Sequence, residues 1–591
     1  MLETKKKSDT PAVGKSKESQ ALLGITLNRE SVESVVVAVI LALLFRAFVA
    51  EAFVIPTGSM APTLMGRHVD VWCDQCGYHD QGGGSSERNR DDTLTDKVVA
   101  TARCPNCGFR KDLETTSFFS NERSFSGDRI IVSKFAYELG DPERWDVIVF
   151  KFPGEAQQNY IKRLIGLPGE TIKIHGGNIY VQSPESSSFE IARKPDAKLL
   201  SLLQIVHDSD YAPEVLIKGQ WPKWWQAHTN QEAWNSDELG KTHALTATDS
   251  EAWLRYHHVD PSEGDWRDVS EGEQSAILPD WSGRLISDFY AYNSTQLARR
   301  NDPDRVFDFH DSDAYGQYWV DDLAVECEVE LAEATGEVLL DLVRGGAHYT
   351  CRIDSKLGQA TLSARTAEGQ PIALGDGEQQ VSTVSATTSI RGPGTYRLRM
   401  SNVDHELRLW VNGYRITFPT ATTYDSDPLV YPDVSHDDGD LAPAAVGGQG
   451  QALTVRHLRV LRDKYYIACR QQVGVYRGEE YQETPSADVT GSYQKEISYL
   501  LSNPQDPRLE RMLRSRGEVL LPLEKDQFLP LGDNSPASSD ARYWPDRHLD
   551  YWDGAYVDRR LLVGKALFIY WPHSWNMPPL FPNFRRMQPI R

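Results

Sequence analysis

Long apolar runs are scarce in this chain of 591 residues. Beyond Ile55 the best candidate is LLVGKALFIYW, which begins at Leu561 and has about half the length that a membrane-spanning helix needs. Its composition is typical of a strand. The sequence therefore excludes a protein with many membrane crossings and leaves room for one crossing at most.

Net positive charge is also lacking. The formal net charge is −21 at pH 7, and the acidic residues are spread along the chain and not gathered in a tail. This argues against a surface that binds duplex nucleic acid, so nucleic acid is not an expected partner. The remaining composition is that of a globular protein, and a chain of this length is expected to form roughly two to four domains.

One apolar segment is present, VVVAVILALLFRAFVAEAFVI, from Val35 to Ile55. Its length matches the roughly 20 residues of a transmembrane helix, and we predict an anchor over residues 31–55. A cleavable signal peptide is the alternative, but the run is too long for one and its flank lacks an A-x-A site. The positive-inside rule places the N-terminus in the cytoplasm, because the preceding segment carries Lys5, Lys6, Lys7, Lys15, Lys17 and Arg29.

Short β-like runs follow the anchor and return only near the end of the chain. The early runs include VDVWC, DRIIVSKF, WDVIVFKF and ETIKIHGGNIYV, and the late ones are EVLLPL, QFLPLGDN and LVGKALFIYW. They are rich in the β-branched and aromatic residues of strands. We predict a disordered tail over residues 1–30 and one β-rich domain split into residues 56–66, 127–181 and 521–591.

The first predicted insertion, residues 67–126, holds two CxxC knuckles, each followed by glycine. The four thiols are those of Cys73, Cys76, Cys104 and Cys107. Such spacing is typical of a zinc ribbon, in which four thiolates fill a structural site and leave no position for catalysis. On the exported side of a membrane the same cysteines could instead form two disulfides.

The second predicted insertion lies between residues 182 and 520. Residues 182–282 are rich in tryptophan and show no chemical motif, so their role stays unknown. Residues 283–460 alternate in the manner of an antiparallel β-sandwich and resemble laminin-G and concanavalin-like lectin domains in texture. A protein or a polysaccharide is the partner such a module would take, and residues 461–520 would return to the split domain.

Four segments carry residues with chemical potential. They are Ile55–Leu64, Gly127–Phe135, the run from Arg144 through Glu170, and Leu531–Trp544. Ser59 follows Gly58 directly after the anchor, and Lys162 lies in a strand among apolar neighbours. Taken alone, Lys162 is also compatible with an ordinary lysine on an edge strand.

Together these segments resemble the type I signal peptidase family, the Ser/Lys peptidases of bacterial plasma membranes and their organellar relatives. The resemblance implies that Ser59 is the nucleophile and Lys162 the general base. A free lysine titrates near ~10.4, so burial must lower its pKa by roughly two to three units before it can accept a proton. No cofactor is then needed for catalysis.

The resemblance also assigns supporting roles. Ser538 would orient the lysine, and the Thr57 hydroxyl and the Ser59 amide would stabilise the oxyanion. Gly58 allows close backbone approach, and bracing ion pairs are implied for Asp533, Asp540 and Arg542. The chain departs from the family where Ser535 and Pro536 replace a more common Arg-Asp or Arg-Asn pair, which puts the local salt bridges in doubt.

The implied substrates are exported preproteins cut after an A-x-A signal. Shallow pockets for small residues would be walled by Ile55, Pro56, Met60, Leu64, Tyr160 and Ile161. The implied location is the plasma (inner) membrane, with a single pass, the lipid bilayer as partner and the catalytic domain on the exported side. The alternatives are a self-cleaving Ser/Lys repressor-type protein and an inactive membrane-anchored receptor built on the same core.

The predicted fold class is mainly β. It comprises an N-terminal transmembrane helix, a split β-rich domain of the signal-peptidase type, an inserted zinc-ribbon-like segment and an inserted antiparallel β-sandwich.

Overall fold

The structure, a computed structural model, describes most of the chain. The described residues are 29–44, 50–89, 91–114, 120, 122–272, 283–307, 316–377, 379–425, 430–436, 438–469, 480–483, 493–545, 554–575 and 581–591. The predicted tail therefore lies outside the described residues up to residue 28, as do residues 45–49 of the predicted anchor. The prediction that the fold is mainly β is confirmed.

The chain divides into two compact units, residues 1–51 and 52–591. In the first unit, a helix spans Arg29–Leu44, and its large apolar side chains between Val32 and Leu41 are exposed. None of the helices in the described ranges is both long enough and apolar enough to cross a membrane.

The C-terminal end of the predicted anchor is not helical. Residues Ala50–Val54 form a strand, and the next residue, Ile55, donates its backbone N–H to the carbonyl of Asp128 at 2.9 Å. The prediction of one continuous helix through Ile55 is therefore wrong at this end. The β-branched and aromatic residues of this stretch suit an extended chain as well as an apolar helix.

A seven-stranded antiparallel sheet brings together distant parts of the second unit. Its strands, in spatial order, are Ala50–Val54, Arg129–Ser133, Leu562–Trp571, Val147–Phe152, Glu155–Gly166, Gln527–Leu531 and Val557–Asp558. Its apolar face buries Ile130, Val149 and Ile569 with Met60 and Leu64. A four-stranded sheet continues the same region with Glu190–Ile191, Asn178–Gln182, Thr171–His175 and Val519–Pro522.

Two eight-stranded sheets pack face to face as a β-sandwich around one apolar core that includes Val325, Leu340 and Val455. The first contains Gln204–Asp208, Trp234–Ser236, Thr242–Leu245, Leu323–Leu331, Gly394–Val403, Glu406–Val411, Tyr414–Arg415 and Leu453–Arg462. The second contains Trp225–Ala227, Ala252–Tyr256, Glu337–Arg344, Ala347–Asp354, Gln359–Arg365, Pro371–Ile372, Thr383–Thr387 and Ala444–Gln449.

The predicted border between a tryptophan-rich segment and the sandwich is wrong. Strands from residues 204–256 pair in both sheets of the sandwich. Trp225 and Trp234 are buried in its core, which explains the tryptophan content by packing. Trp281 lies outside the described residues.

The first insertion forms two small sheets. A hairpin pairs His68–Trp72 with His79–Gly83, and a four-stranded sheet contains Asp302–Phe307, Gln296–Arg299, Lys97–Arg103 and Arg110–Asp112. Residues 296–307 therefore pair with this insertion and not with the sandwich, to which the prediction had assigned them. Pairing across about 200 residues leaves no local sequence pattern that could reveal it.

Helices are few and short in the described parts of the second unit. The α-helices span Ala136–Leu139, Asp196–Leu202, Glu214–Lys218, Glu263–Ser270, Tyr493–Ser502 and Pro507–Arg514. Single 3₁₀ turns span Gly58–Met60, Ser85–Glu87, Gln231–Ala233, Ala291–Asn293, Gly439–Leu441, Ser535–Ala537, Ala541–Tyr543, Arg559–Leu561 and Phe584–Arg586.

Candidate active site

Ser59 lies in the middle of the 3₁₀ turn Gly58–Met60, which follows the extended residue Thr57. The side chain is half-buried. Gly58 is required there because a Cβ at this position would overlap the ring of Tyr292. The turn thus presents a serine hydroxyl on a backbone that is tightly packed from behind.

Lys162 comes from the strand Glu155–Gly166 and reaches this serine. Its Nζ donates to Ser59 Oγ at 2.8 Å and to the carbonyl of Ile161 at 3.0 Å. The strand is paired on both sides, with Val147–Phe152 and with Gln527–Leu531. Lys162 is only 4% exposed. The interpretation of Lys162 as an ordinary edge-strand lysine is therefore wrong.

Burial changes the proton affinity of this amine. Removal from water lowers the pKa of Lys162 to about 8, while the carboxylates of Asp540 and Asp533 oppose this shift. A charged ammonium loses its hydration in such a place, and two carboxylates recover only part of that loss. A substantial fraction of the amine is therefore neutral at mildly alkaline pH and able to accept a proton from the serine.

Asn534 fixes the serine turn from the other side. Its backbone N–H donates to the carbonyl of Ser59 at 3.1 Å, and its side-chain amide donates to the carbonyl of Gly58 at 3.0 Å. Gly532 makes this approach possible, since a Cβ there would overlap both Ser538 and the Ser59 carbonyl. Sequence reasoning missed Asn534, although it lies inside the fourth motif.

Two buried ion pairs brace the loop that contains Asn534. Arg163 donates from Nε and Nη2 to the two carboxylate oxygens of Asp533, both at 2.7 Å. Arg542 makes the same bidentate contact with Asp540, since its Nε and Nη2 each donate to a carboxylate oxygen at 2.8 Å. Sequence reasoning did not name Arg163 as the partner of Asp533. The sequence feature that could have indicated this role is the position of Arg163 directly after Lys162.

Ser535, which stands where the family more often has another residue, also helps to fix the loop by contacting Arg542. Its hydroxyl accepts from Arg542 Nη1 at 2.9 Å and from the backbone N–H of Ile467 at 3.0 Å. Arg542 also donates to the Ile467 carbonyl at 2.8 Å. The serine therefore connects the loop to the chain that returns from the sandwich.

Comparison with known proteins relates the segments that contain Ser59 and Lys162 to a protein family. The family described as "Signal peptidase, peptidase S26" matches residues 28–82 and 117–232, which include Ser59 and Lys162. Over these residues the chain is similar to the type I signal peptidase family. Signal peptidase I of Pseudomonas aeruginosa is 48% identical over 59 residues, covering 8% of this chain and 21% of that protein. Signal peptidase I of Leptolyngbya laminosa is 29% identical over 194 residues, covering 32% and 63% respectively.

The match to the signal peptidase family is partial. The chain spans less than two thirds of the length of the curated relatives just named, and the fourth motif lies outside the residues that the family matches. Among solved structures, carbohydrate-binding module CBM66 from Bacillus subtilis covers 41% of this chain at 10% identity, and 92% of that module is covered. The TM-score is 0.19, and this likeness supports no conclusion.

Ser538, the residue expected to orient the lysine, lies with the Ser59 carbonyl around Gly532. Its hydroxyl is buried and makes no hydrogen bond with any described residue. The expected bond to the Lys162 amine is therefore not formed in this structure. The hydroxyl points towards Gly532, whose missing side chain leaves the space it occupies.

Thr57, the second expected oxyanion donor, is exposed next to Ser59. Its side chain makes no capping hydrogen bond to the turn that it precedes. Its hydroxyl is thus available to a ligand at the surface.

The predicted pocket walls fall into two groups. Met60 and Leu64 have no exposed surface, and Ile55 is 3% exposed, so these three belong to the core beneath the serine. They can shape the pocket floor but cannot touch a peptide without a rearrangement. Pro56 is exposed, and Tyr160 and Ile161 are half-buried, so these three remain accessible to a substrate.

The four knuckle cysteines converge on one point. Their sulfur atoms all lie within 4.8 Å of one another, and the pairs Cys73–Cys107 and Cys76–Cys104 are separated by 3.6 Å. No disulfide joins them in the structure. Sulfur atoms bound to one tetrahedral zinc at about 2.3 Å lie roughly 3.8 Å apart, so these residues fit a zinc ion.

Proposed function

We propose that this chain is a membrane-bound serine endopeptidase that removes N-terminal signal peptides from exported proteins. The observation that carries the proposal is the 2.8 Å contact between Lys162 Nζ and Ser59 Oγ in a buried setting. A neutral lysine amine within hydrogen-bond distance of a serine hydroxyl can act as its general base. The similarity to the signal peptidase family supports signal peptides as the class of substrate.

The proposed reaction begins when the neutral Lys162 amine takes the proton of Ser59 Oγ. The oxygen attacks the carbonyl carbon of the scissile bond, and the Ser59 N–H and the Thr57 hydroxyl stabilise the resulting oxyanion. The Lys162 ammonium then protonates the leaving amine, which departs and leaves an acyl-enzyme on Ser59. Lys162, neutral again, activates the water that hydrolyses this ester.

We propose that Ser538 assists by accepting a hydrogen bond from the ammonium form of Lys162. The buried, unpartnered hydroxyl supports this role, because an orphaned polar atom beside a titrating group is available to the charged state. Asp533, Asp540 and Arg542 hold the loop in place through the ion pairs described above.

The proposed cleavage site follows an A-x-A sequence. Thr57, Tyr160 and Ile161 border the accessible side of the dyad, and the packed side chains of Met60 and Leu64 beneath it leave little depth. A shallow site selects small side chains by excluding larger ones.

We propose that residues 31–49 anchor the protein in the plasma membrane with the N-terminus in the cytoplasm. The apolar run of the sequence and the exposed apolar side chains of the helix Arg29–Leu44 support this. The catalytic unit would then act on the exported side, where signal peptides emerge from the bilayer.

We propose structural zinc on Cys73, Cys76, Cys104 and Cys107, with no part in catalysis. Four protein thiolates fill a tetrahedral site, so the ion would cross-link the two knuckles and nothing more. For the sandwich we propose a binding role towards a protein or a polysaccharide. Tyr414 and Leu357, which are 78% and 62% exposed, support such a surface.

Cleavage of a synthetic signal peptide with an A-x-A site tests the proposed activity. We expect the parent protein to cut after the second alanine, and the Ser59→Ala and Lys162→Ala variants to lose at least about 10³-fold in kcat/KM. Lys464→Ala is the matched control, because Lys464 is also buried but faces the ring of Tyr290. Equal cleavage by all four proteins would refute the assignment.

A further inference from the structure

A second cluster of chemically capable side chains lies apart from the dyad and from the four cysteines. His68 and Asp70 belong to the strand His68–Trp72, and His573 follows the strand Leu562–Trp571. His68 and Asp70 have no exposed surface, and His573 is 4% exposed. One ligand atom from each lies within 4.8 Å of the other two. The cluster thus joins two segments that are distant in the sequence.

The tautomer of His68 is fixed by its surroundings. Its Nδ1 lies 2.7 Å from the carbonyl oxygen of Gly66, an atom that can only accept, so Nδ1 carries the proton and donates. Nε2 therefore presents a lone pair, and it makes no hydrogen bond with any described residue. A buried acceptor without a donor destabilises the fold unless a ligand satisfies it. A histidine that donates one nitrogen to a carbonyl and offers the other is the usual arrangement of a metal ligand.

The two carboxylate oxygens of Asp70 also differ: one accepts hydrogen bonds and the other has no hydrogen-bond donor among the described residues. Its Oδ1 accepts from Gln81 Nε2 at 2.8 Å and lies 3.2 Å from His79 Nε2. Its Oδ2 is 2.9 Å from His573 Nε2 but does not have hydrogen-bond geometry towards any described residue. His573 Nε2 also lies 3.4 Å from Asn583 Nδ2, and its 2.9 Å approach to Asp70 Oδ2 is the kind of separation found between neighbouring ligands of one ion.

We propose that His68, Asp70 and His573 bind a divalent transition-metal ion of the zinc type. Two imidazole nitrogens and one carboxylate oxygen suit zinc better than magnesium or calcium, which prefer oxygen ligands alone. The ligands are buried, so the ion cross-links the chain that leaves the serine turn to the C-terminal segment and takes no part in peptide hydrolysis. It is a second site, independent of the four cysteines.

Metal analysis of the full-length protein tests this inference. We expect about two zinc ions per chain in the parent and about one in His68→Gln and His573→Gln. His243→Gln is the matched control, because His243 is equally buried but both of its ring nitrogens have partners, at 2.7 and 3.1 Å. It should retain both ions. Equal zinc content in the parent and in the folded His68→Gln and His573→Gln variants would overturn the proposal, whatever the occupancy of the four cysteines.

Cobalt titration of the metal-free parent is a second test, and it does not depend on the folding of any variant. Cobalt bound to thiolates absorbs strongly in the near ultraviolet, whereas cobalt bound to nitrogen and oxygen does not. We expect uptake of a second equivalent after the thiolate band has reached its plateau. Uptake that stops with that band would mean that the three side chains form a packed polar cluster without an ion.

Discussion

Lys162 is the residue on which the proposed chemistry depends, and its burial has a thermodynamic consequence. Its folded-state pKa of about 8 lies below the ordinary 10.5, so the unfolded chain binds the extra proton between these values. The resulting penalty on stability is fully present below about pH 8 and disappears as the pH rises towards about 10.5. The proposed catalytic site thus carries a stability cost at neutral pH.

Replacement of this amine by an apolar side chain should therefore stabilise the fold. We expect Lys162→Met to raise the free energy of unfolding at pH 7 by on the order of 2 kcal/mol, and the gain to shrink as pH approaches 10.5. Urea unfolding at several pH values measures this difference. A variant that is less stable than the parent at pH 7 would show that the amine is well solvated or well paired after all.

At the scale of elements, the serine turn depends on a short segment of the second insertion. The 3₁₀ turn Ala291–Asn293 places Tyr292 against Gly58. It also pairs Asn293 with Asn534 through two reciprocal amide hydrogen bonds of 2.8 Å each. Asn534 in turn holds the Gly58 and Ser59 carbonyls. The insertion therefore contributes to the position of Ser59, the proposed nucleophile.

Loss of one amide in this chain of contacts should slow catalysis. We expect Asn293→Ala to lower kcat by about ten-fold with a smaller change in KM, because a misplaced serine affects the transition state more than substrate binding. Asn235→Ala, at an exposed site on the sandwich, is the control. Steady-state kinetics on a signal peptide measure both constants, and equal kcat values for the two variants would contradict this role.

The two cysteine knuckles connect elements beyond themselves. The Asn106 side chain donates to the Tyr211 carbonyl at 2.8 Å, and Trp266 Nε1 donates to the Cys107 carbonyl at 2.8 Å. Both partners belong to the second insertion. Metal on the cysteines would therefore stabilise contacts between the two insertions as well as the knuckles.

Removal of that metal should lower stability without removing the dyad. We expect Cys73→Ser combined with Cys104→Ser to reduce the free energy of unfolding by several kcal/mol, since thiolate ligands are lost and buried contacts loosen. Thermal unfolding with and without a chelator measures the effect. Cys351→Ser, at a buried cysteine in the sandwich core, is the control and should respond to the chelator as the parent does.

At the scale of residues 52–591, buried polar contacts join the sandwich to the seven- and four-stranded sheets and to the first insertion. Lys194 lies between Asp404 and Asp463, at 2.7 Å from each, and Arg103 pairs with Asp260 at 2.9 Å. Tyr466 and Ala468, just after the sandwich, pack in the core formed by the seven- and four-stranded sheets. Such contacts couple the parts of residues 52–591 to one another.

This coupling predicts that residues 52–591 unfold cooperatively. We expect tryptophan fluorescence, which reports mainly on the sandwich, and peptidase activity to be lost in the same thermal transition. Lys194→Met should lower the midpoint of both signals together. Two separate transitions would show that the sandwich is an independent module attached to the peptidase.

Local signals explain why the sequence predicts the strands and why it points to Ser59 and Lys162, which the structure brings within 2.8 Å of each other. Lys162 in an apolar strand and Ser59 after Gly58 are readable from neighbouring residues alone. The Asn293–Asn534 pair spans 241 positions, and the pairing of Gln296–Arg299 with Lys97–Arg103 is equally remote. Amides and short polar strands occur throughout the chain, so nothing marked these as partners before the fold was known. The predicted border between the tryptophan-rich segment and the sandwich was wrong for the same reason.

The pH dependence of signal-peptide cleavage tests the central claim most directly. If the neutral Lys162 amine activates Ser59, kcat/KM should rise with pH through an apparent pKa of about 8 and the activity should vanish in Lys162→Met. The same profile should persist in Lys464→Met, although burial also lowers the pKa of Lys464, to about 7. A flat profile between pH 6 and 10, or parent-like cleavage by Lys162→Met, would contradict the account.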